Sequence, residues 1–352
     1  MKQNLLNFNL KELEKIVIHN LNEPKFRAKQ IFQWLYKKYT FNINNFSNIS
    51  KSTKEKLNTK FEIKKPQIHH ISYCEQDNAY KFLLKTEDEK FIESILMICN
   101  KRVTLCISCM IGCPLKCKFC ATGNELKFIR NLEVSEIVGQ FLEINKYLQK
   151  NKIKQKITNI VFMGMGEPLL NIENVTKTLE ILTNNDAIGI SKNKITISTA
   201  GIIQGLSEII NKFGIKLAVS LHFTTDKQRS NFMPINLKYP IKKLLEEIKK
   251  ISLNKRDYIT IEYLMLKNIN DTLNHAKKLV QILSHLKVKI NLIPYNPTKT
   301  LSVKTSTEQQ LNLFAKYLRS KFIPVTVRRS KGQKIKGGCG QFVLSKENHE
   351  NF

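Results

Sequence analysis

No stretch of this 352-residue chain approaches the roughly twenty consecutive apolar residues that a membrane span requires. No membrane association is therefore expected. The leading segment, MKQNLLNFNLKELEKIV, is amphipathic and carries acids, so it does not read as a secretory signal. Cysteine is scarce outside one window: of eight, five lie between Cys106 and Cys120. That clustering argues against a disulfide scaffold and for reduced cofactor chemistry, and so for a cytoplasmic location. Arginine is rare too, supplying eight of the 58 basic residues. The net charge of +29 therefore rests on lysine, which is spread along the whole chain. Such a surplus suits a nucleic-acid partner. However, lysine, asparagine and isoleucine are heavily used everywhere, as in chains from AT-rich genomes, so charge alone does not decide the matter.

At 42% hydrophobic residues there is enough core for one large α/β domain with a small appendage. Residues 1–64 read as short helices, with helical apolar spacing over Leu10 to Leu21 and Ala28 to Tyr39 and a lysine-rich helix after FSNIS. Between 65 and 100 the pattern changes to alternation, in Tyr80-Lys-Phe-Leu-Leu and Phe91-Ile-Glu-Ser-Ile-Leu-Met-Ile, which predicts a β-hairpin. From 101 to 330 strand and helix alternate six times. The predicted strands are VTLCIS, ITNIVFMG, KITISTA, IKLAVSLHF, YITIEYLML and VKINLIPYN, and IPVTVRR closes the run. Helices are predicted over Val134–Leu148, Ile172–Leu182, Ile202–Phe213, Ile241–Ile251, Thr272–Leu286 and Thr307–Phe322. Repeated βα units imply a parallel sheet rolled into a complete or partial barrel. A glycine-rich tail, 331–352, follows.

Six polar or glycine-rich motifs, Asn270-Asp271 after the fifth strand among them, fall at the C-terminal ends of these strands, where a βα barrel keeps its active site. The first is the cysteine loop itself. Cys113, Cys117 and Cys120 are spaced C-x3-C-x2-C, so three thiolates sit within eight residues. Three can ligate three irons of a 4Fe–4S cubane and leave the fourth iron open, whereas electron-transfer clusters use four cysteines. A zinc site built from Cys106-x2-Cys109 and Cys117-x2-Cys120 is the competing reading. Only seven residues separate those pairs, against the roughly fifteen to twenty of a zinc ribbon, and Cys113 would have no role. Gly164-Met-Gly166-Glu167-Pro168 offers close backbone approach and then an acid able to accept from an ammonium group. Ser198, Ser220 and His222 offer hydroxyls and an imidazole; each alone also reads as a strand-end cap. Asn296 could meet an adenine edge or serve as a turn residue before Pro297. Cys339 lies in a mobile-looking tail, and Glu93 alone would pass for a solvated acid.

These residues, with RAKQIFQWLY, FIESILM, TLCIS, FMGMGEPLLN, ISTAG, LAVSLHF, FMPIN, EYLML, NLIPYNP and GGCGQF, resemble the RlmN family of bacterial dual-specificity RNA methyltransferases over nearly the whole chain. The resemblance implies a partial (β/α)6-type radical S-adenosylmethionine barrel with a small N-terminal helical RNA-binding domain and a β-hairpin extension carrying Glu93. It implies methylation of carbon-2 of adenine in the peptidyl-transferase centre of 23S ribosomal RNA and in transfer RNA. Cys113, Cys117 and Cys120 would hold one 4Fe–4S cluster with S-adenosylmethionine on its fourth iron. Gly166, Glu167, Ser198, Ser220, Leu221, His222 and Asn296 would bind that cofactor. Two molecules of it would be consumed per methylation. Cys339 would carry the methyl carbon and form a transient adduct with RNA. Glu93 would accept a proton, and Cys106 would release the adduct through a transient disulfide with Cys339. An electron donor such as flavodoxin and a monomeric state are further expectations.

The family tail commonly reads D-I-x-A-A-C-G-Q-L; here Lys334 replaces the acid and Gly337-Gly338 the alanines. Cys109-Met110 stand where Ser-Gln is usual, and Cys109, three places beyond Cys106, is expected to be a bystander. Two alternatives stay open: a carbon-8 adenine methyltransferase of the same family that confers ribosomal antibiotic resistance, and a non-catalytic RNA-binding protein on this fold.

Overall fold

The computed structural model describes residues 2–299 and 301–343. Three helices open the chain: α1 (Leu10–His19), α2 (Phe26–Tyr36) and α3 (Lys51–Lys60). Asn9 starts α1 with a reciprocal cap, its side chain accepting from the Glu12 amide while Glu12 accepts from the Asn9 amide. Leu13, Val17, Ile31, Phe32 and Leu35 are buried in the same apolar cluster as the barrel. The helical segment is thus packed onto the rest of the chain rather than hung from a linker. Polar ties reinforce the join, among them Lys177 to Glu12 at 2.6 Å and Lys29 to Asp186 at 3.0 Å.

The centre is one ten-stranded sheet. Its strands are β1 (Gln67–Cys74), β2 (Ala79–Lys85), β3 (Phe91–Cys99), β4 (Arg102–Cys106), β5 (Asn159–Phe162), β6 (Ile195–Thr199), β7 (Lys216–Ser220), β8 (Ile259–Met265), β9 (Val288–Pro294) and β10 (Val325–Val327). Spatial order follows chain order from one edge to the other. β1 to β4 pair antiparallel, and β4 to β10 pair parallel. The predicted hairpin is therefore three strands, and its last strand is hydrogen-bonded to the first barrel strand. β1 and β10 are the sheet's two edges, so the barrel is open.

One main helix covers each step between parallel strands, α4 (Val134–Lys150), α5 (Ile172–Thr183), α6 (Leu206–Phe213), α7 (Ile241–Lys249), α8 (Leu273–Leu283) and α9 (Glu308–Ser320), and short helices at Ala121–Glu125 and Asp226–Phe232 add to the first and fourth steps. These six βα units match the predicted succession. Two boundaries differ for backbone reasons. α6 begins four residues late because Gly205 is left-handed, with φ +70°. The fourth predicted strand stops at Ser220 because His222 is also left-handed, at φ +59°. The amides of Leu221 and His222 both reach the Glu262 carbonyl, and the Asn270 side chain donates to the His222 carbonyl at 2.8 Å. Among the described residues no helix is long and apolar enough to cross a membrane.

The tail runs from β10 back across the open side. The Gly332 amide donates to Asp77, in the turn between β1 and β2, at 2.7 Å. Further on, the Ala121 amide donates to the Gly340 carbonyl at 2.8 Å and the Thr122 hydroxyl to the Phe342 carbonyl at 2.8 Å.

Candidate functional site

A cleft with an empty volume of about 1060 Å³, open mouth included, lies at the C-terminal ends of the parallel strands. Cys113, Cys117, Cys120, Gly166, Glu167, Ser198, Ser220, His222 and Cys339 all line it. Residues spread over more than two hundred positions are brought to one wall by the βα succession.

The cysteine loop is tied internally. The Asn124 side chain donates to the carbonyls of Cys117 and Cys120, at 2.6 and 2.8 Å. The Cys120 amide donates to the Cys117 carbonyl at 2.9 Å. Burial pushes Cys113 up to about 12 and Cys117 and Cys120 upward as well; neighbouring thiols add to the rise at Cys113 and Cys117, while hydrogen bonds from Gly123 and Thr122 oppose it at Cys120. Three soft sulfur donors, neutral on their own, face a shared cleft. Deprotonating them needs a cation, which a bound iron–sulfur group would supply. Among the described residues, no three His, Cys, Asp or Glu side chains converge as ligands of a single ion. A cubane differs in asking each thiolate to meet a separate iron. The donor set and the cleft fit the cluster.

Glu167 is buried and accepts from the amides of Ala200, at 2.7 Å, and Leu169, at 3.2 Å. Burial lifts its pKa to about 7. Gly166 has φ +103°, and a Cβ there would lie 2.6 Å from Met110 and 3.0 Å from the Cys109 sulfur. Its glycine is required by the packing of the 109–110 segment beneath it as much as by any ligand. His222 is buried, and its Nδ1 accepts from the Leu264 amide at 3.1 Å. Burial and then Arg229 hold its pKa down to about 3, so the ring is neutral with its proton on Nε2. The ring meets Phe119 edge-on, with centroids 4.9 Å apart.

Two predicted cofactor contacts sit elsewhere. Leu221 is fully buried in the apolar core and does not line the cleft. Asn296 lies outside the cleft wall, and its side chain is occupied by the tail. It donates to Ser330 at 2.7 Å and to the Cys339 carbonyl at 3.0 Å, and accepts from Gln333 at 2.6 Å.

Cys339 lines the cleft as a solvent-exposed residue, and the protein packed around its sulfur still pushes the thiol's pKa up to about 11. It also lines a second cavity, inside the barrel, together with Cys106. Cys106 is buried, and burial pushes its thiol up to about 12, with Arg328 pulling the other way and Cys339 adding a smaller upward push. All eight cysteines are free thiols. Glu93 lines neither space. It is buried under the tail, with Lys81 Nζ 2.5 Å from Oε1 and Lys336 nearby. Oε2 has no well-formed hydrogen bond, although the Val343 backbone lies close. Burial lifts Glu93 to about 7 against the pull of Lys81. Cys109 is buried, directs its thiol at the Met165 carbonyl, and stays out of both cavities.

Sequence reasoning did not single out Arg229, Asn124, Glu262 or Arg328. Arg229 is fully buried on the short helix Asp226–Phe232. It donates to the carbonyls of Ala200, Ser220 and Leu221 and to Asn236. It also lies near enough to Cys117 to favour that thiolate. The segment FMPIN beside it carried family likeness but no chemical signal for a buried cation. Glu262 and Arg328, 3.9 Å apart, sit where cleft and inner cavity meet.

Comparison with known proteins agrees with this geometry. Residues 3–63 match the family model described as ribosomal RNA large subunit methyltransferase N-terminal domain. Residues 107–280 match the radical SAM superfamily model. The chain is 43% identical to the dual-specificity RNA methyltransferase RlmN of Buchnera aphidicola from Schizaphis graminum, covering 97% of this chain and 94% of that one. It is 39% identical to the protein of the same name from Oleidesulfovibrio alaskensis, covering 96% and 95%. A radical SAM methyltransferase from Sphaerobacter thermophilus superposes with a TM-score of 0.87 at 32% identity, covering 96% of this chain and 98% of that one.

Proposed function

Because the chain belongs to the RlmN family of radical S-adenosylmethionine RNA methyltransferases, we propose that it methylates carbon-2 of adenine in 23S ribosomal RNA and in transfer RNA. The chemistry explains the set of residues. Adenine carbon-2 is electron-poor and cannot attack a sulfonium methyl, so the methyl carbon must arrive another way. The bound 4Fe–4S cluster and S-adenosylmethionine supply the methyl group and the one-electron chemistry.

What supports this reading above all is Cys339: a tail thiol facing the same cleft as Cys113, Cys117 and Cys120, and lining the inner cavity with Cys106. Cys113, Cys117 and Cys120 hold the cluster. Gly166 and Glu167 bind the amino end of the cofactor, with Ser198, Ser220 and neutral His222 as its remaining polar partners. Leu221 contributes through its backbone, whose carbonyl accepts from Arg229. Asn296 fixes the backbone of Cys339. Contact between its amide and the cofactor would follow release of the tail. Cys339 carries the methyl carbon to the base and Glu93, titrating near neutrality, accepts a proton. Cys106 then frees the RNA by pairing with Cys339. The protein works as a cytoplasmic monomer with an external one-electron donor such as a flavodoxin.

The test is mass spectrometry of nucleosides from ribosomal and transfer RNA of cells with and without the gene. Loss of 2-methyladenosine on deletion is the expected result. An 8-methyladenosine difference would move the protein to the carbon-8 branch. RNA unchanged by deletion would refute the enzyme reading.

A further inference from the structure

The inner cavity, about 1730 Å³ with its open mouth, is basic at one end and reactive at the other. Cys106 and Cys339 mark the reactive end. Arg102, Lys216 and Lys289 line it near the starts of β4, β7 and β9. None of the three has a carboxylate within ion-pair distance among the described residues. They are close enough to repel: partial burial, then Lys289 and Arg102, hold Lys216 below its ordinary range. Asp257 acts on Lys216 and Glu262 feels Lys289, but neither carboxylate forms an ion pair with them, so the three cations are free to take an anion from outside.

Strand geometry sets the depth. Arg102 and Cys106 lie four residues apart on one strand face, as do Lys216 and Ser220, and Lys289 and Ile293. At about 3.3 Å per residue that is roughly 13 Å, on the scale of one nucleotide from its phosphate to the far edge of its base. The wall between carries Thr104, Thr196, Thr260 and Asn159, whose hydroxyls and amide can meet a base edge; Asn291 is engaged by Glu262 and Thr326, and Glu262 and Arg328 add charge where the cavity meets the cleft. Enzymes that act on a base extrude it from the stack, leaving its phosphates outside the pocket. Cleft and inner cavity meet at Cys339, so cofactor and base can reach that thiol from opposite sides.

We propose that Arg102, Lys216 and Lys289 form a phosphate site that grips the RNA backbone beside the flipped adenine, whose base enters the barrel toward Cys339. This rests on the RNA methyltransferase reading. The test compares wild type, the triple variant Arg102→Gln, Lys216→Gln, Lys289→Gln, and a control with Lys242, Lys249 and Lys277, exposed on outer helices, changed to Gln. Binding of protein-free 23S ribosomal RNA is measured across a KCl series, with methylation kinetics, iron content and melting temperature alongside. Each lost phosphate contact should lower the salt slope by about 0.7, so the site variant should lose up to about 2 units. Its KM for RNA should rise about tenfold or more, with kcat and iron content near the parent's. The exchange Lys216→Arg with Lys289→Arg should retain affinity. A site variant that binds with the parent's slope and KM, or that is matched by the control, overturns the phosphate site while leaving methylation intact. A wild type that neither binds nor methylates this RNA overturns the functional reading, and the phosphate site with it.

Discussion

Replacing Arg229 with methionine should destabilise the protein out of proportion to the loss of one side chain. The guanidinium donates to the carbonyls of Ala200 at 2.5 Å, Ser220 at 3.1 Å and Leu221 at 3.2 Å, and to Asn236 at 2.8 Å. Methionine keeps the apolar stem but takes the guanidinium donor from the part-buried Ala200 and Ser220 carbonyls and from buried Asn236, each costing about 1–3 kcal/mol, while the Leu221 carbonyl keeps the Phe223 amide at 2.7 Å. Removing a charge that burial already disfavours returns part of this, as the pKa of Arg229, down to about 10, attests. A net loss of about 3–5 kcal/mol follows, the range for breaking a buried charged network. Unfolding entropy of about 2.1 cal/mol/K per residue over 352 residues is roughly 0.74 kcal/mol/K, so the melting temperature should drop by about 4–7 °C. Arg229→Lys keeps the charge without the fork and should fall between. Because the freed carbonyls end the strands that carry Ser198 and Ser220, KM for S-adenosylmethionine should rise in parallel. Thermal unfolding at matched cluster loading is the assay. A methionine variant melting within about 1 °C of the parent would show that the network carries no such energy.

Three other substitutions probe the site. Cys106→Ala should purify with RNA attached to Cys339, seen as an RNase-resistant nucleotide mass on the tail peptide; nucleotide-free protein with normal turnover removes Cys106 from the reaction. Cys109→Ser should keep iron content and turnover near the parent's, and adding it to Cys106→Ala should trap no more adduct; extra trapping would make Cys109 a second resolving thiol. For Glu93, a pKa of about 7 means about one-tenth ionised at pH 6 and nearly fully ionised at pH 8. A rate limited by its acceptance of a proton therefore rises with pH through about 7 and levels off. Glu93→Gln should abolish that rise and lower kcat by about 10²–10⁴, whereas an unchanged profile would assign the proton elsewhere.

The βα succession was legible because strand and helix periods alternate cleanly, and the cysteine triplet because its spacing is local. What stayed hidden depends on partners distant in sequence. Asn296 was read as an adenine contact, yet the residue that fills it lies 43 positions on. The Asp77–Gly332 tie spans 255 positions and leaves no pattern in either segment. Gly166 was read as ligand clearance, while its nearest obstacle is Met110, which family likeness marked only as a departure. Leu221 sits between two residues that line the cleft, and the left-handed turn at His222 sends its own side chain into the core. Glu93 sits on a strand where the sequence alone reads it as a solvated acid, whereas the strand is buried along most of its length and Lys81 and Lys336 lie against the carboxylate.

The tail joins the two unpaired edges of the sheet, since it leaves β10 and docks on the turn between β1 and β2. Its anchors are hydrogen bonds at Ser330, Gly332, Gln333, Cys339, Gly340 and Phe342, on the order of 1 kcal/mol net each between neutral groups and more for Gly332 on the Asp77 carboxylate, together with the buried Phe342 side chain. At Gly338 even a methyl group would come within 3.1 Å of the Asn296 amide. The strap is thus close-fitting and held by many small ties, and it carries Cys339 itself. Unfastening the seam and withdrawing the thiol become a single motion. Lifting the strap would carry Cys339 away from both the cleft and the inner cavity that it now lines, so the position of that sulfur and the closure of the seam are one variable.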